Sequence, residues 1–333
     1  MKRYLIITAA VLVALSSVAQ SRRMAVVDLS SVYMRQQPDY ESALETQELM
    51  GTVVEIVGEN GYWREISSPQ PYRAWVTEKG LVEMTEQELA DYEAAPKAMF
   101  KELYGHVYSR PSKGSAVICD LVGGDLLRLP TGSCRGKWVK VILPSGVVGY
   151  VSGKNLESHD GFRSIAMNQG TGQDITPEMS EKVIAQAMKL LGSPYLWGGM
   201  TSKGVDCSGL VRISHLMNGI LLPRNASQQI MCGKRIEVGY DPDFWDGTVR
   251  TARSDDFRNE MSARIRNLKR GDLVFFGTPS PDPQKKDRIT HVGIYLGDGK
   301  IIHSSHKVRI NSLIPGDDDF YENSHRLLAA VRL

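Results

Sequence analysis

Cysteine is scarce: four in 333 residues, at 119, 134, 207 and 232. A disulfide-stapled mini-domain is excluded, because a chain this long can bury real cores without covalent help. In an oxidising compartment two bridges remain formally open, in three connectivities. A zinc site built on Cys207 would lack the closely spaced ligand pairs usual for such sites. No basic block is long enough to grip nucleic acid, and 40 Lys and Arg stand against 38 Asp and Glu. The one long apolar run, from Tyr4 to Leu15, is too short to span a bilayer comfortably.

What is present begins with that run. Lys2 and Arg3 precede it, and Ser17-Val18-Ala19 supplies small residues for cleavage. Residues 1–19 therefore read as a secretory signal, with an N-terminal membrane anchor as the alternative. No cysteine follows the run, so lipidation there is not expected. Without Lys2 and Arg3 the basic residues fall to 38, equal to the acidic ones. The mature chain is expected near zero net charge, as a monomer without a membrane-spanning segment, exported to the periplasm or beyond the cell.

An internal repeat follows. "GYWREISSPQPYRAWVTEKGLV" and "GKWVKVILPSGVVGYVSGKNLE" are offset by 75 residues. Trp63, Ile66, Trp75, Val76 and Leu81 meet Trp138, Val141, Tyr150, Val151 and Leu156. Apolar and polar positions alternate, broken by Gly and Pro, which is the texture of short antiparallel strands in a small barrel. Two copies of one module are expected, at 24–84 and 104–158, joined by a helical connector at 85–103 interrupted at Pro96. The pattern resembles bacterial SH3-like modules, which bind cell-wall or peptide ligands; the alternative is a pair of spacers. Cys119 and Cys134 both fall in the second copy, paired or simply buried.

From about residue 172 the texture changes to helices first and strands after, an α+β pattern. Thr176 caps and Pro177 opens a helix with Val183, Ile184, Ala187, Leu190 and Leu191 at helical spacing. "GVDCSGLVR" then places Cys207 at the start of a second helix. A helix N-terminus favours the thiolate, the form of sulfur that attacks, and its unpaired amides can steady an oxyanion. A thiolate needs a base, and the base an orienting group.

"HVGIYLGDGKIIHSS" offers two histidines. On a strand, His291, Gly293 and Tyr295 share one face, and "GDG" is a hairpin signal. A three-residue loop at 297–299 sets Gly293 opposite His303, so that His291 and His303 are diagonal neighbours. A two-residue loop puts them on opposite faces. A relay of Cys207, His291 and His303 is plausible on this geometry. A zinc site from the same three residues, or a Cys207–Cys232 bridge in a non-catalytic wall-binding protein, are the competing readings. His106, His159, His215, His306 and His325 have no comparable partners.

"SPYLWGG", "GVDCSGLVR", "LPRNASQQ", "LKRGDLVFFG" and "HVGIYLGDGKIIHSS" resemble, in order, the blocks of the NlpC family of papain-like cysteine peptidases. With two SH3-like barrels in front, the chain resembles the subgroup of γ-D-glutamyl-L-diamino-acid endopeptidases. The resemblance implies a papain-like domain at 172–333, no cofactor, and murein peptides as substrate. It assigns Cys207 as nucleophile, His291 as base and His303 as the orienting group. It places Asp206 and Ser208 on the substrate's amino-terminal part, with Asn225, Ala226 and Ser227 along the pocket and Tyr195 and Trp197 as walls. Here Asn225 replaces the family's acid and Ala226 a serine. The subgroup also holds the substrate's free amine with a tyrosine and an acid from the first module, for which Tyr72 and Glu45 are the candidates. An amidase or acyltransferase on the same fold is the alternative reaction.

One segment exceeds the family pattern, and a second has the composition of a mobile loop. Residues 239–264 form an insertion, and "TPSPDPQKKDR" reads as a loop just before His291. Either one covers the cleft as a lid or lies as a solvated surface loop.

Overall fold

The computed structural model describes residues 22–69, 72–132, 136–165, 167, 175–239, 255–282 and 284–333. The signal-like residues 1–19, Cys134, and residues 240–254 of the insertion lie outside that set.

Two seven-stranded antiparallel sheets fill the N-terminal half. With the strands of each numbered in chain order, both run 3-2-6-5-4-1-7, and each has a short 3₁₀ turn before its last strand. The repeat seen in the sequence is therefore a repeat of topology. Trp63 opens the fifth strand of the first module and Trp138 the fifth strand of the second. Each module encloses its own small core, around Met34, Ile66 and Val76 in one and Phe100, Leu121 and Val141 in the other.

The connector is shorter than expected. Helix α1, Glu86–Ala94, starts with a capping box in which Thr85 and Glu88 exchange hydrogen bonds. It stops ahead of Pro96, which cannot continue a helix. Lys97–Phe100 then forms the first strand of the second module. The apolar "AMF" extends into the sheet, where Phe100 is wholly buried. The module thus begins by residue 97 rather than 104.

In the C-terminal half, helix α2 is Pro177–Lys189, with Thr176 accepting from the Met179 amide. Helix α3, Cys207–Leu216, is buried at every position, and α4 is the single turn Ala226–Gln229. Helix α5, Asp255–Ile265, is the end of the insertion and buries Phe257, Met261 and Ile265. The six-stranded antiparallel sheet runs Lys234–Ile236, Leu327–Arg332, Leu273–Thr278, Arg288–Gly297, Lys300–Ser305, Lys307–Ser312 across its width. Its residues alternate between two cores. Leu273, Phe275, Val292, Ile294 and Ile302 pack with α2 and α3, while Val274, Phe276, Tyr295 and Ile301 pack with α5.

The first module is welded to this domain by its third strand, Leu44–Leu49. Thr46, Gln47 and Glu48 are at most 2% exposed. Gln47 Oε1 accepts from the Met200 amide at 2.8 Å, and Glu48 meets Arg212 of α3 at 3.3 Å. Gly198 has a φ of +75°, and a Cβ there would sit 3.0 Å from the Glu45 carbonyl, so only glycine admits this approach.

Candidate functional site

Cys207 is the first residue of α3 and 8% exposed. Cys119, Cys207 and Cys232 are free thiols, so the Cys207–Cys232 bridge does not form. Backbone amides of Val292 and Ser208 face the Cys207 sulfur. Burial first, then the Asp206 charge, pushes its thiol up to about 12.

The two histidines meet. His291 Nε2 lies 2.8 Å from His303 Nδ1, and the rings stand edge to face at 5.0 Å between centroids. The hairpin reaches this register by an unexpected route. The turn holds two residues, Asp298 and Gly299, both in the left-handed region with φ of 49° and 74°. A bulge at Leu296 supplies the odd residue. Gly293 therefore still faces His303, a Cβ on it lying 3.3 Å from that of His303. Burial, then the charge on His303, lowers His291 to about 3; burial lowers His303 to about 4. Burial thus favours the uncharged form of both rings and of the thiol.

Three residues absent from the sequence-based set complete this cluster. The Tyr321 ring packs on His303 at 4.7 Å and His291 at 5.9 Å. Asn311 Oδ1 lies 2.9 Å from His303 Nε2. Both His303 nitrogens are thus engaged, leaving none for a metal, which removes the zinc reading. The third residue is Arg224, 1% exposed. Its Nη1 and Nη2 donate to Asp206 Oδ1 and Oδ2 at 3.0 and 2.6 Å, its Nη1 to Ser208 Oγ at 2.9 Å, and its Nε to Thr46 Oγ1 at 2.7 Å.

Arg224 changes the reading of two expected residues. Asp206 also accepts from the amides of Gly209 at 2.7 Å and Gly198 at 2.9 Å, and from Ser208 Oγ at 3.2 Å. Its carboxylate is saturated as the cap of α3 and the counter-ion of a buried guanidinium. Asp206 and Ser208 face Arg224 instead of standing free for a substrate amine.

The first-module pair is different. Tyr72 donates to Glu45 Oε2 at 2.5 Å, and the Asn225 side chain donates to the Tyr72 oxygen. Burial, then Glu45, raises the Tyr72 phenol to about 12, so it remains a donor. Asn225, Tyr72 and Glu45 form a chain of donors ending on a half-buried carboxylate. Ala226 is buried in the first turn of α4, Ser227 is exposed, and Trp197 is 66% exposed. Tyr195 is half-buried, its phenol raised by burial and then by Cys207 and Asp206, which places it beside both. No group of His, Cys, Asp and Glu among the described residues could hold a metal ion.

Two family models match this chain: NlpC/P60 family at residues 192–317, and Bacterial SH3 domain at residues 30–82. A gamma-D-glutamyl-L-lysine dipeptidyl-peptidase of Bacillus cereus is 28% identical over 280 residues, covering 82% of this chain and 70% of its own. Dipeptidyl-peptidase 6 of Lysinibacillus sphaericus is 23% identical over 283 residues, covering 83% and 87%. A solved NlpC/P60 family protein from Bacillus cereus shares the fold, with a TM-score of 0.67 at 23% identity, over 93% of this chain and 99% of its own. The chain thus carries an NlpC/P60 domain at residues 192–317, with a bacterial SH3 domain ahead of it at residues 30–82.

Proposed function

We propose that the chain hydrolyses the γ-D-glutamyl bond to a diamino acid in cell-wall peptides that begin with a free L-alanine amine. Its class, a cysteine endopeptidase of cell-wall peptides, follows from the NlpC/P60 domain and the dipeptidyl-peptidase relatives. The finer reading rests on one observation, the Asn225–Tyr72–Glu45 chain, in which the first module brings Tyr72 and Glu45 to Asn225, the neighbour of Arg224.

An ammonium leaving water needs an anionic partner, and with Asp206 saturated the available carboxylate is Glu45. An acylated alanine has no charge to offer there and leaves Glu45 desolvated without a partner. Crosslinked, glycan-attached peptides are thereby rejected, and the module acts as a gate rather than a wall anchor. The chain's action lies outside the cytoplasm, as the SH3 domain and the cell-wall hydrolase relatives suggest.

Chemistry begins from neutral groups. Cys207 Sγ attacks the γ-carbonyl carbon as its proton moves to His291 Nδ1. The amides of Ser208 and Val292, which face the sulfur, favour its anionic form as the proton leaves. The C–N bond breaks, and His291 returns the proton to the departing amine. Water, activated by the same ring, then cleaves the thioester, releasing L-Ala-γ-D-Glu and restoring the thiol.

The test is incubation with L-Ala-γ-D-Glu-meso-diaminopimelate and its N-acetylated form, followed by mass spectrometry. The free peptide is expected to be cleaved at the γ-bond and the acetylated one spared. Equal cleavage of both removes the amine gate.

A further inference from the structure

We propose that Asn311 is a positioning residue that sets which nitrogen of each histidine carries its proton, and so makes His291 a base toward Cys207. The inference rests on the catalytic assignment above but makes a claim about the resting protein that can be read without turnover.

The argument runs inward from the edge of the sheet. Asn311 sits on the edge strand Lys307–Ser312 and is 8% exposed. Its Nδ2 donates to the Asp319 carbonyl at 2.7 Å, which fixes the orientation of the amide. Its Oδ1 therefore faces His303 Nε2, and an oxygen there requires a proton on that nitrogen. His303 is neutral, so its Nδ1 is a lone pair. That lone pair, 2.8 Å from His291 Nε2, requires the His291 proton to sit on Nε2. His291 Nδ1 is then unprotonated. One carbonyl thus dictates three proton positions in series.

The carbonyl itself is anchored. Asp319 O also accepts from the Ser312 amide at 3.0 Å, and Lys300 Nζ holds the Asp319 carboxylate at 2.6 Å. Ser312 Oγ donates to Asp317 at 2.6 Å, closing the loop below. An amide orients His303 without the negative charge that would draw it into the cationic form. The charged groups acting on the pair, Arg309 opposite His303 in the sheet and Arg326, favour neutral rings as well. Tyr321 closes the remaining side with its ring.

The experiment is a long-range nitrogen–proton NMR spectrum of ring-labelled histidine in the whole protein, with kinetics on the tripeptide. In the wild type at neutral pH, His291 and His303 are expected to carry their protons on Nε2. Asn311→Leu keeps the shape and removes the acceptor. It is expected to mix the tautomers of both rings and lower kcat about 100-fold, with KM within about threefold; misassigned tautomers in a serine triad cost up to about 10⁴. Asn311→Asp retains the acceptor toward His303 but loses the donor to the Asp319 carbonyl; it is expected to keep the tautomers and more activity than Asn311→Leu, at a cost in stability, with the acid limb of the pH profile moved upward. A wild-type spectrum with either proton on Nδ1 overturns the proposal, whatever the variants do. So does Asn311→Leu with unchanged tautomers. Correct tautomers in a protein that does not cleave the peptide leave this proposal standing and sink the substrate assignment instead.

Discussion

Arg224 and Asp206 form a two-pronged ion pair beside Cys207, at 3.0 and 2.6 Å, with the guanidinium 1% exposed. Removing one member of such a pair leaves the other charged and dry, which costs about 3–5 kcal/mol. Arg224→Met is expected to lose stability on that scale in urea unfolding. It should also loosen the start of α3, because Asp206 is its cap. A loss below about 1 kcal/mol contradicts the picture of a buried, saturated carboxylate.

Cys207→Ala is expected to abolish peptide hydrolysis while leaving binding of L-Ala-γ-D-Glu peptides within a few-fold of wild type. Calorimetric titration with uncleaved tripeptide measures it. Residual turnover near the wild-type rate refutes the nucleophile.

Glu45→Gln keeps the hydrogen bond from Tyr72 and removes the charge. Loss of a charge-assisted contact to an ammonium is worth about 2–3 kcal/mol, or roughly 30–150-fold in kcat/KM. The rate on free-amine peptide should fall by that factor, and the preference over N-acetylated peptide should shrink with it. Tyr72→Phe should give a smaller loss in the same direction. A Glu45→Gln enzyme that still discriminates as the wild type does places the amine elsewhere.

Acid should weaken the fold in a defined window. His215, buried on α3 with Nδ1 2.7 Å from the Val211 carbonyl, is lowered to about 4 by burial. Unfolded, a histidine titrates near 6.5, so below that pH the unfolded chain takes a proton that the native one refuses. Stability is complete above about 6.5 and falls as pH drops toward 4. The loss is on the order of 2 kcal/mol between pH 7 and 5 for one imidazole. His291 and His303 act in the same direction. Urea unfolding of wild type and His215→Leu at the two pH values checks it; parallel slopes count against the assignment.

Much of the architecture is legible in the chain because its signals are local. Trp63 and Trp138 announce a repeated module, and Thr176 before Pro177 announces α2, since caps and strand alternation are written within a few residues. Cys207 and both histidines stand out in the same way, as short motifs. What stays hidden is long-range. Arg224 reads as one residue in a pocket block, and nothing nearby says that it will meet Asp206 and Thr46. Asn311 becomes visible only once the edge strand is laid against His303, and Tyr321 only once the final loop folds over the pair. At residues 97–100 "KAMF" suits a helix as well as a strand, and only the sheet decides it.

The bulge at Leu296 has a consequence for how this hairpin can vary. Its turn tolerates other residues of left-handed habit, but the count between His291 and His303 has a parity. Adding or deleting one residue without the bulge swings His303 to the opposite face, among Ile294 and Ile302, and the imidazoles part. Changes in steps of two, or a bulge gained and lost together with a turn residue, are the only edits that leave the pair facing each other.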